Sequence, residues 1–118
     1  MFKVIIAGTR TFKDYDLLCS YADYMLSQVK EPIEIVSGHA QGADALGERY
    51  AKERGYKLTI FMADWNKYGK AAGPRRNLQM AEYANALLAY WDGKSRGTKN
   101  MIDIAQDKGL KVGVKVYQ

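Results

Sequence analysis

The chain has 118 residues but only one cysteine, Cys19, and one histidine, His39. A single thiol excludes an intrachain disulfide and a cysteine-built zinc site. A single imidazole excludes a histidine-cluster metal site and leaves no obvious histidine-based triad. Long apolar runs are also missing, since none reaches the roughly 18–20 residues a membrane helix needs. The opening segment, Met1-Phe2-Lys3-Val4-Ile5-Ile6-Ala7-Gly8, is too short for a signal-peptide core and ends in a turn residue. These shortages predict a reduced, soluble, cytoplasmic protein with no metal site, no resident cofactor and no membrane partner. Repeats, linkers and low-complexity segments are absent too, so residues 1–118 read as one domain.

What the chain does contain is ordinary globular material, with 47% hydrophobic and 26% charged residues, which excludes disorder. Eighteen basic residues against thirteen acidic ones give a net charge of +5. That charge favours anionic partners such as nucleotides or nucleic acid, although it would also serve solubility alone.

Element types alternate along the sequence. Phe2 to Ala7 is a continuous apolar run, the pattern of a strand buried on both faces. Asp14 to Lys30 carries apolar residues at spacings of three and four, with Asp14 as N-cap of a helix. Beyond Pro32, Ile33 to Val36 is a second strand. Ala43 to Arg54 is a second helix that stops at Gly55. Lys57 to Met62 is a third strand, and Ala63 to Gly73 reads as irregular. Pro74 opens a third helix to Tyr83, standing at its first position. Ala86 to Trp91 is a fourth strand, Gly97 to Lys108 a fourth helix, and Lys111 to Tyr117 a fifth strand with the alternation of an edge. Five strands alternating with four helices predict a parallel sheet covered on both faces, an α/β doubly wound fold. Periodicity leaves two strand orders open, 3-2-1-4-5 and 2-1-3-4-5. Either way, ligands bind at the carboxyl ends of the strands near the switch point.

The turns after the strands are accordingly the place to look for chemistry. The first is Gly8-Thr9-Arg10-Thr11, which combines close backbone approach, a hydroxyl and a guanidinium suited to phosphate or carboxylate. The second, Ser37-Gly38-His39-Ala40-Gln41-Gly42-Ala43-Asp44, leads two glycines into a helix and exposes backbone amides to an anion. It is neither the dinucleotide fingerprint nor a P-loop. His39 contacts a ligand or is simply a turn residue. Asp44 complements the helix dipole or accepts a ribose hydroxyl.

The stretch after the third strand, from Asp64 to Asn77, holds four basic residues against one acid. Arg75 and Arg76 fall in the first turn of a helix, the unfavourable end for cations, and a bound phosphate would compensate them. Trp65 and Tyr68 are placed to stack a base or to pack the loop. The last turn, Trp91 to Thr98, brings Asp92 to a strand end, where it holds a ribose or caps the turn. Gly97-Thr98 opens a helix whose amides suit phosphate.

Four motifs in this order, Gly8-Thr9-Arg10, Ser37-Gly38-x-Ala40-x-Gly42-Ala43-Asp44, Gly73-Pro74-x-Arg76-Asn77 and Asp92-Gly93-x-x-x-Gly97-Thr98, resemble the SLOG superfamily of Rossmann-like nucleotide-binding domains. Within it they are most similar to the YspA or cpYpsA-related group, also known as DUF2493. The resemblance spans the chain. It implies a three-layer Rossmann-like fold of strand order 3-2-1-4-5 and a nucleotide pocket between strands one and four. The pocket residues it implies are Gly8, Thr9, Arg10, Ser37, Gly38, Gly42, Asp44, Arg76, Asn77, Gly97 and Thr98. It also suggests a homodimer.

Two related branches set the alternatives. The LOG branch cleaves nucleoside 5′-monophosphates to base and ribose 5-phosphate using a Pro-Gly-Gly-x-Gly-Thr-x-x-Glu motif. Here Gly97-Thr98 matches, but Met101 stands in the glutamate's place and Pro-Gly-Gly is missing. Asp103 lies about 200° round the helix from position 101 and is a poor substitute. The DprA branch shares the Ser-Gly-x-Ala-x-Gly turn and binds single-stranded DNA.

The reading that results is a protein that binds a nucleoside phosphate or an ADP-ribose-like molecule at the ends of strands 1, 2 and 4, as sensor or processing protein. Gly8, Thr9, Arg10, Ser37, Gly38, His39, Gly42, Asp44, Trp65, Gly73, Arg75, Arg76, Asn77, Asp92, Gly97 and Thr98 are the candidate ligand-binding residues. For an enzyme, glycosidic hydrolysis is the reaction, and Asp44, Glu48 and Asp92 are the carboxylates that would serve it. DprA-like binding of single-stranded DNA is the remaining alternative.

Overall fold

The computed structural model describes residues 1–118 and places β1 (Phe2–Gly8) at the centre of a five-stranded parallel sheet. Val4, Ile5 and Ile6 are wholly buried, because β1 has neighbours on both sides and helices on both faces. β2 (Ile33–Ser37) lies on one side, with Val4 opposite Ile35, and β4 (Ala86–Trp91) on the other, with Ile5 opposite Leu87. β3 (Lys57–Ile60) and β5 (Lys111–Val116) form the edges, so the order is β3-β2-β1-β4-β5. Of the two orders periodicity allows, this is the one in which the chain reverses direction at β1 and β4.

Two cores follow from that topology. On one face α1 (Tyr15–Leu26) and α2 (Ala43–Arg54) bury Leu18, Ala22 and Tyr50 against Val4, Ile6, Leu88 and Tyr90. On the other, α4 (Ala72–Tyr83) and α5 (Arg96–Asp107) bury Met80 and Met101 against Ile5, Val36, Leu87 and Ala89. Even and odd residues of β1 thus face different cores, which explains its unbroken apolar run. No helix is long and apolar enough to cross a membrane.

Several element boundaries differ from the sequence expectation. α1 ends at Leu26, short of Lys30, because Ser27 turns back to donate its hydroxyl to the Tyr24 carbonyl at 2.8 Å. Its start is as expected: the Asp14 carboxylate accepts the Leu17 amide at 3.0 Å. Asp14→Ala is therefore expected to cost about 1 kcal/mol, measurable as a lower urea midpoint at unchanged slope. β3 stops at Ile60, opposite the last residue of β2, so Met62 has no strand to pair with and is 71% exposed.

The stretch from Ala63 to Gly73 is not irregular. Asp64 caps a short helix, α3 (Trp65–Tyr68), by accepting the Lys67 amide at 3.1 Å, and a 3₁₀ turn (Gly69–Ala71) runs straight into α4. Pro74 is consequently the third residue of α4, still in the turn whose amides lack helical partners. Arg75 and Arg76 are its fourth and fifth residues, past the first turn, so the helix dipole is not what calls for an anion there.

Candidate functional site

The Gly8–Thr11 turn leaves β1 where the helices of the two faces diverge. Two glycines let it close onto the neighbouring elements. A Cβ at Gly8 would strike the Tyr90 carbonyl oxygen and lie 2.8 Å from the Ala43 Cβ. One at Gly42 would strike the Thr9 and Arg10 carbonyls, and its φ of 73° suits glycine in any case. The Thr9 amide donates to the Tyr90 carbonyl at 2.9 Å, and the Thr9 carbonyl accepts from the Ala43 amide at 3.3 Å. The turn thereby ties β1 to β4 and to the start of α2.

Above this turn lies an open cavity of about 380 Å³. Gly8 and Arg10 form its floor, Ala40 and Asp44 one wall, Trp65, Gly73, Arg76 and Asn77 a second, and Ser95, Arg96, Gly97, Thr98 and Asn100 a third. Three arginines and one carboxylate line it, and none of the arginines forms an ion pair.

Arg76 is the most constrained of these cations. Its Nη1 donates to the Gly38 carbonyl at 2.6 Å and its Nε to Asn77 Oδ1 at 3.1 Å. The guanidinium lies flat on Gly38, where a Cβ would come within 3.0 Å of Cδ, Nε and Cζ. Buried Asn77 passes its amide to Asn100 Oδ1 at 3.0 Å, linking α4 to α5. Burial draws the Arg76 pKa down, with Asp44 opposing and Arg10 adding to the shift. Asp44 is only 5% exposed and accepts the Ala40 amide at 3.1 Å. Burial pushes its carboxyl up to about 6, against the Ala40 hydrogen bond and the two arginines. At the third wall, Ser95 caps α5 through the Thr98 amide, which leaves the amides of Arg96 and Gly97 with no partner inside the helix.

Of the sixteen ligand-binding candidates, the cavity brings together Gly8, Arg10, Asp44, Trp65, Gly73, Arg76, Asn77, Gly97 and Thr98. Gly38 and His39 line a smaller cavity beside it. The others lie outside both linings. Buried Thr9 accepts the Asp92 amide through its hydroxyl at 3.2 Å. Ser37 is buried and donates to Glu48 at 2.8 Å, and Gly42 serves the loop closure described above. Arg75 is exposed, its guanidinium 4.2 Å above the Tyr68 ring. Asp92 caps its own turn, accepting the amides of Lys94 and Ser95 at 2.8 Å, and those bonds hold its pKa down. Glu48 bonds Ser37 and His39. Asp44 is the one carboxylate in the main cavity. No group of three or more histidine, cysteine or acidic residues is placed to hold a metal ion.

Sequence reasoning missed Arg96 and Asn100. Asn100 lies three residues beyond Gly97 on α5, hence on the same face, and that spacing was available. Met101 is buried in the lining, so apolar surface occupies the place of a LOG-type glutamate. Asp103 is engaged with Lys99 at 2.9 Å.

The model of the YspA, cpYpsA-related SLOG family matches residues 2–68. The gene 61 protein of Mycobacterium phage D29 is 33% identical over 118 residues, covering 95% of this chain and 94% of that protein. Among solved structures, DNA processing protein A (DprA) from Streptococcus pneumoniae is similar with a TM-score of 0.73 at 19% identity, over 97% of this chain and 50% of DprA. The structural genomics target TM1055 gives 0.68 at 18% identity, over 95% of this chain and 72% of its own. This chain thus spans about half of DprA, and at these identities both likenesses show a shared fold.

Proposed function

The chain belongs to the YspA, cpYpsA-related SLOG family, and from that premise we propose that it binds a phosphorylated nucleoside, with ADP-ribose-like molecules in the same class. The observation that carries this is the unpaired charge of the cavity. Arg10, Arg76 and Arg96 line it without a carboxylate in ion-pair contact, and the single acid among them, Asp44, has its pKa raised by burial to about 6. Arg76 and the free amides of Arg96 and Gly97 take the phosphate. Asp44 takes a ribose hydroxyl, and half-exposed Trp65 covers the base.

A thermal-unfolding panel of AMP, ADP-ribose, NAD and a short oligonucleotide tests the reading. A nucleotide at ten times its dissociation constant stabilises by about 1.4 kcal/mol. For a domain of this size that is a rise on the order of 5 °C. A rise with no member of the panel would defeat the proposal.

Two observations favour further readings. Asp44, at about 6, is poised as a general acid for adding water across a ribosyl C1′–N bond, and release of free base from the nucleotide mixture is its assay. Exposed Lys67, Lys70 and Arg75 beside the cavity favour a single strand of nucleic acid. In that case oligonucleotide affinity falls steeply with salt, and salt-insensitive binding excludes it.

A further inference from the structure

The smaller cavity, about 270 Å³, adjoins the main one, and Arg10, Ala40, Trp65 and Arg76 line both. His39 lines this cavity and not the main one, and its ring is built into a small network. Glu48, nearly buried, sits 2.9 Å from His39 Nδ1 and also accepts the Ser37 hydroxyl at 2.8 Å. The His39 amide donates to Ser37 Oγ at 3.1 Å, and the backbone there is left-handed, with φ 61°, rare for a residue other than glycine. A carboxylate can only accept, so it holds the proton on Nδ1 and leaves Nε2 of the neutral ring as an acceptor. The imidazole is half exposed, at 50%.

From this arrangement, and resting on the nucleotide reading above, we infer that the site takes a two-part ligand, a nucleoside diphosphate carrying a second sugar, with the diphosphate at the Arg10–Arg76 neck. A hydroxyl of the second sugar donates to His39 Nε2, and Glu48 is the positioning residue that presents the ring. A nucleoside monophosphate fills the main cavity and the neck and does not reach His39. The shared wall is what joins the lobes: both arginines face both cavities, so an anionic bridge between two moieties meets them wherever it crosses.

The test compares AMP with ADP-ribose, by calorimetry and by tryptophan emission, in the wild type, His39→Asn and Glu48→Gln. Asparagine tolerates the left-handed backbone, so the first variant removes the ring without straining the turn. Wild type is expected to bind ADP-ribose at least tenfold more tightly than AMP. His39→Asn loses about tenfold for ADP-ribose, the equivalent of ~1.4 kcal/mol, and leaves AMP unchanged. Glu48→Gln loses about threefold with the same selectivity, as expected for one weakened hydrogen bond. Equal wild-type affinities, or a His39→Asn effect on both ligands or on neither, overturn the two-part ligand while the nucleotide reading stands. Binding of neither ligand by the wild type overturns both.

Discussion

Arg76→Met is expected to weaken binding of a phosphorylated nucleoside by about 100- to 1,000-fold, ~3–4 kcal/mol. Methionine keeps most of the side-chain volume and removes the charge and the planar fork of donors. The size of the effect comes from preorganisation. The Gly38 carbonyl and Asn77 fix two of the guanidinium donors, so a ligand meets a cation whose side-chain entropy is already lost. The remaining donors face the cavity in a partly desolvated setting, where a charge-assisted bond is stronger than on the surface. Arg76→Lys should recover little, because an ammonium cannot hold the Gly38 carbonyl and a phosphate in one plane. Arg10 is exposed, and Arg10→Met is expected to cost only about tenfold. Arg76→Met should also cost about 1 kcal/mol of stability, because the Gly38 carbonyl and Asn77 Oδ1 lose their donor, while relief of a partly buried charge offsets some of that loss. Calorimetry for binding and urea unfolding for stability separate the two effects. An affinity within threefold of wild type would remove Arg76 from the site.

Adjacent arginines illustrate how much of this was legible. Arg75 and Arg76 share a motif and a charge, yet one stacks on Tyr68 in solvent and the other lies on Gly38 in the cavity. Successive helical residues point about 100° apart, so a boundary error of two residues is enough to obscure which one faces inward. That error arose because Asp64 caps a four-residue helix too short to show periodicity, and because Pro74 is tolerated at the third helical position as well as the first. Where periodicity is long, as in α2, or where a strand is buried on both faces, as in β1, the sequence carried the element directly.

Strand order was different in kind. It depends on which parallel neighbours pair, and two orders satisfy the same hydrophobic pattern, so only the resemblance pointed to one of them. The site divides along similar lines. Glycine and charge at strand ends marked Gly8, Arg10, Asp44 and Gly97, which line the cavity. Thr9 and Asp92 looked equivalent to them, but the Asp92 carboxylate is taken by amides of its own turn, and the Thr9 hydroxyl by the Asp92 amide 83 positions away. Such long-range partners have no local signature. His39 is an intermediate case: its turn was plain in the sequence, whereas Glu48, nine residues on, becomes its partner only because α2 folds back over Ser37.

Asp44→Asn is expected to raise stability at pH 8 by about 3 kcal/mol and to change nothing at pH 4. The folded carboxyl titrates at about 6, above its ordinary 3.8, chiefly because it is buried. The native state therefore holds a proton that the unfolded state has released. The stability this contributes is complete below about pH 4 and is lost as the pH rises through 6. Above that, folding must bury a charge.

Asparagine keeps an oxygen for the Ala40 amide and never charges, so it mimics the protonated acid at every pH. The variant should melt on the order of 10 °C higher at pH 8, and the two curves should converge on acidification. The same titration governs the ligand. Protonation removes the one negative charge near Arg10 and Arg76, so the wild type is expected to hold a phosphate more tightly at pH 5 than at pH 8. In Asp44→Asn that dependence should flatten. If the protein also cleaves its nucleotide, the variant loses turnover far more than binding, because an amide cannot donate the acid's proton. Stability difference against pH is the decisive plot. A constant offset from pH 4 to 8 would mean that Asp44 stays ionised in its niche, and with it would go both its part in catalysis and the pH dependence of binding.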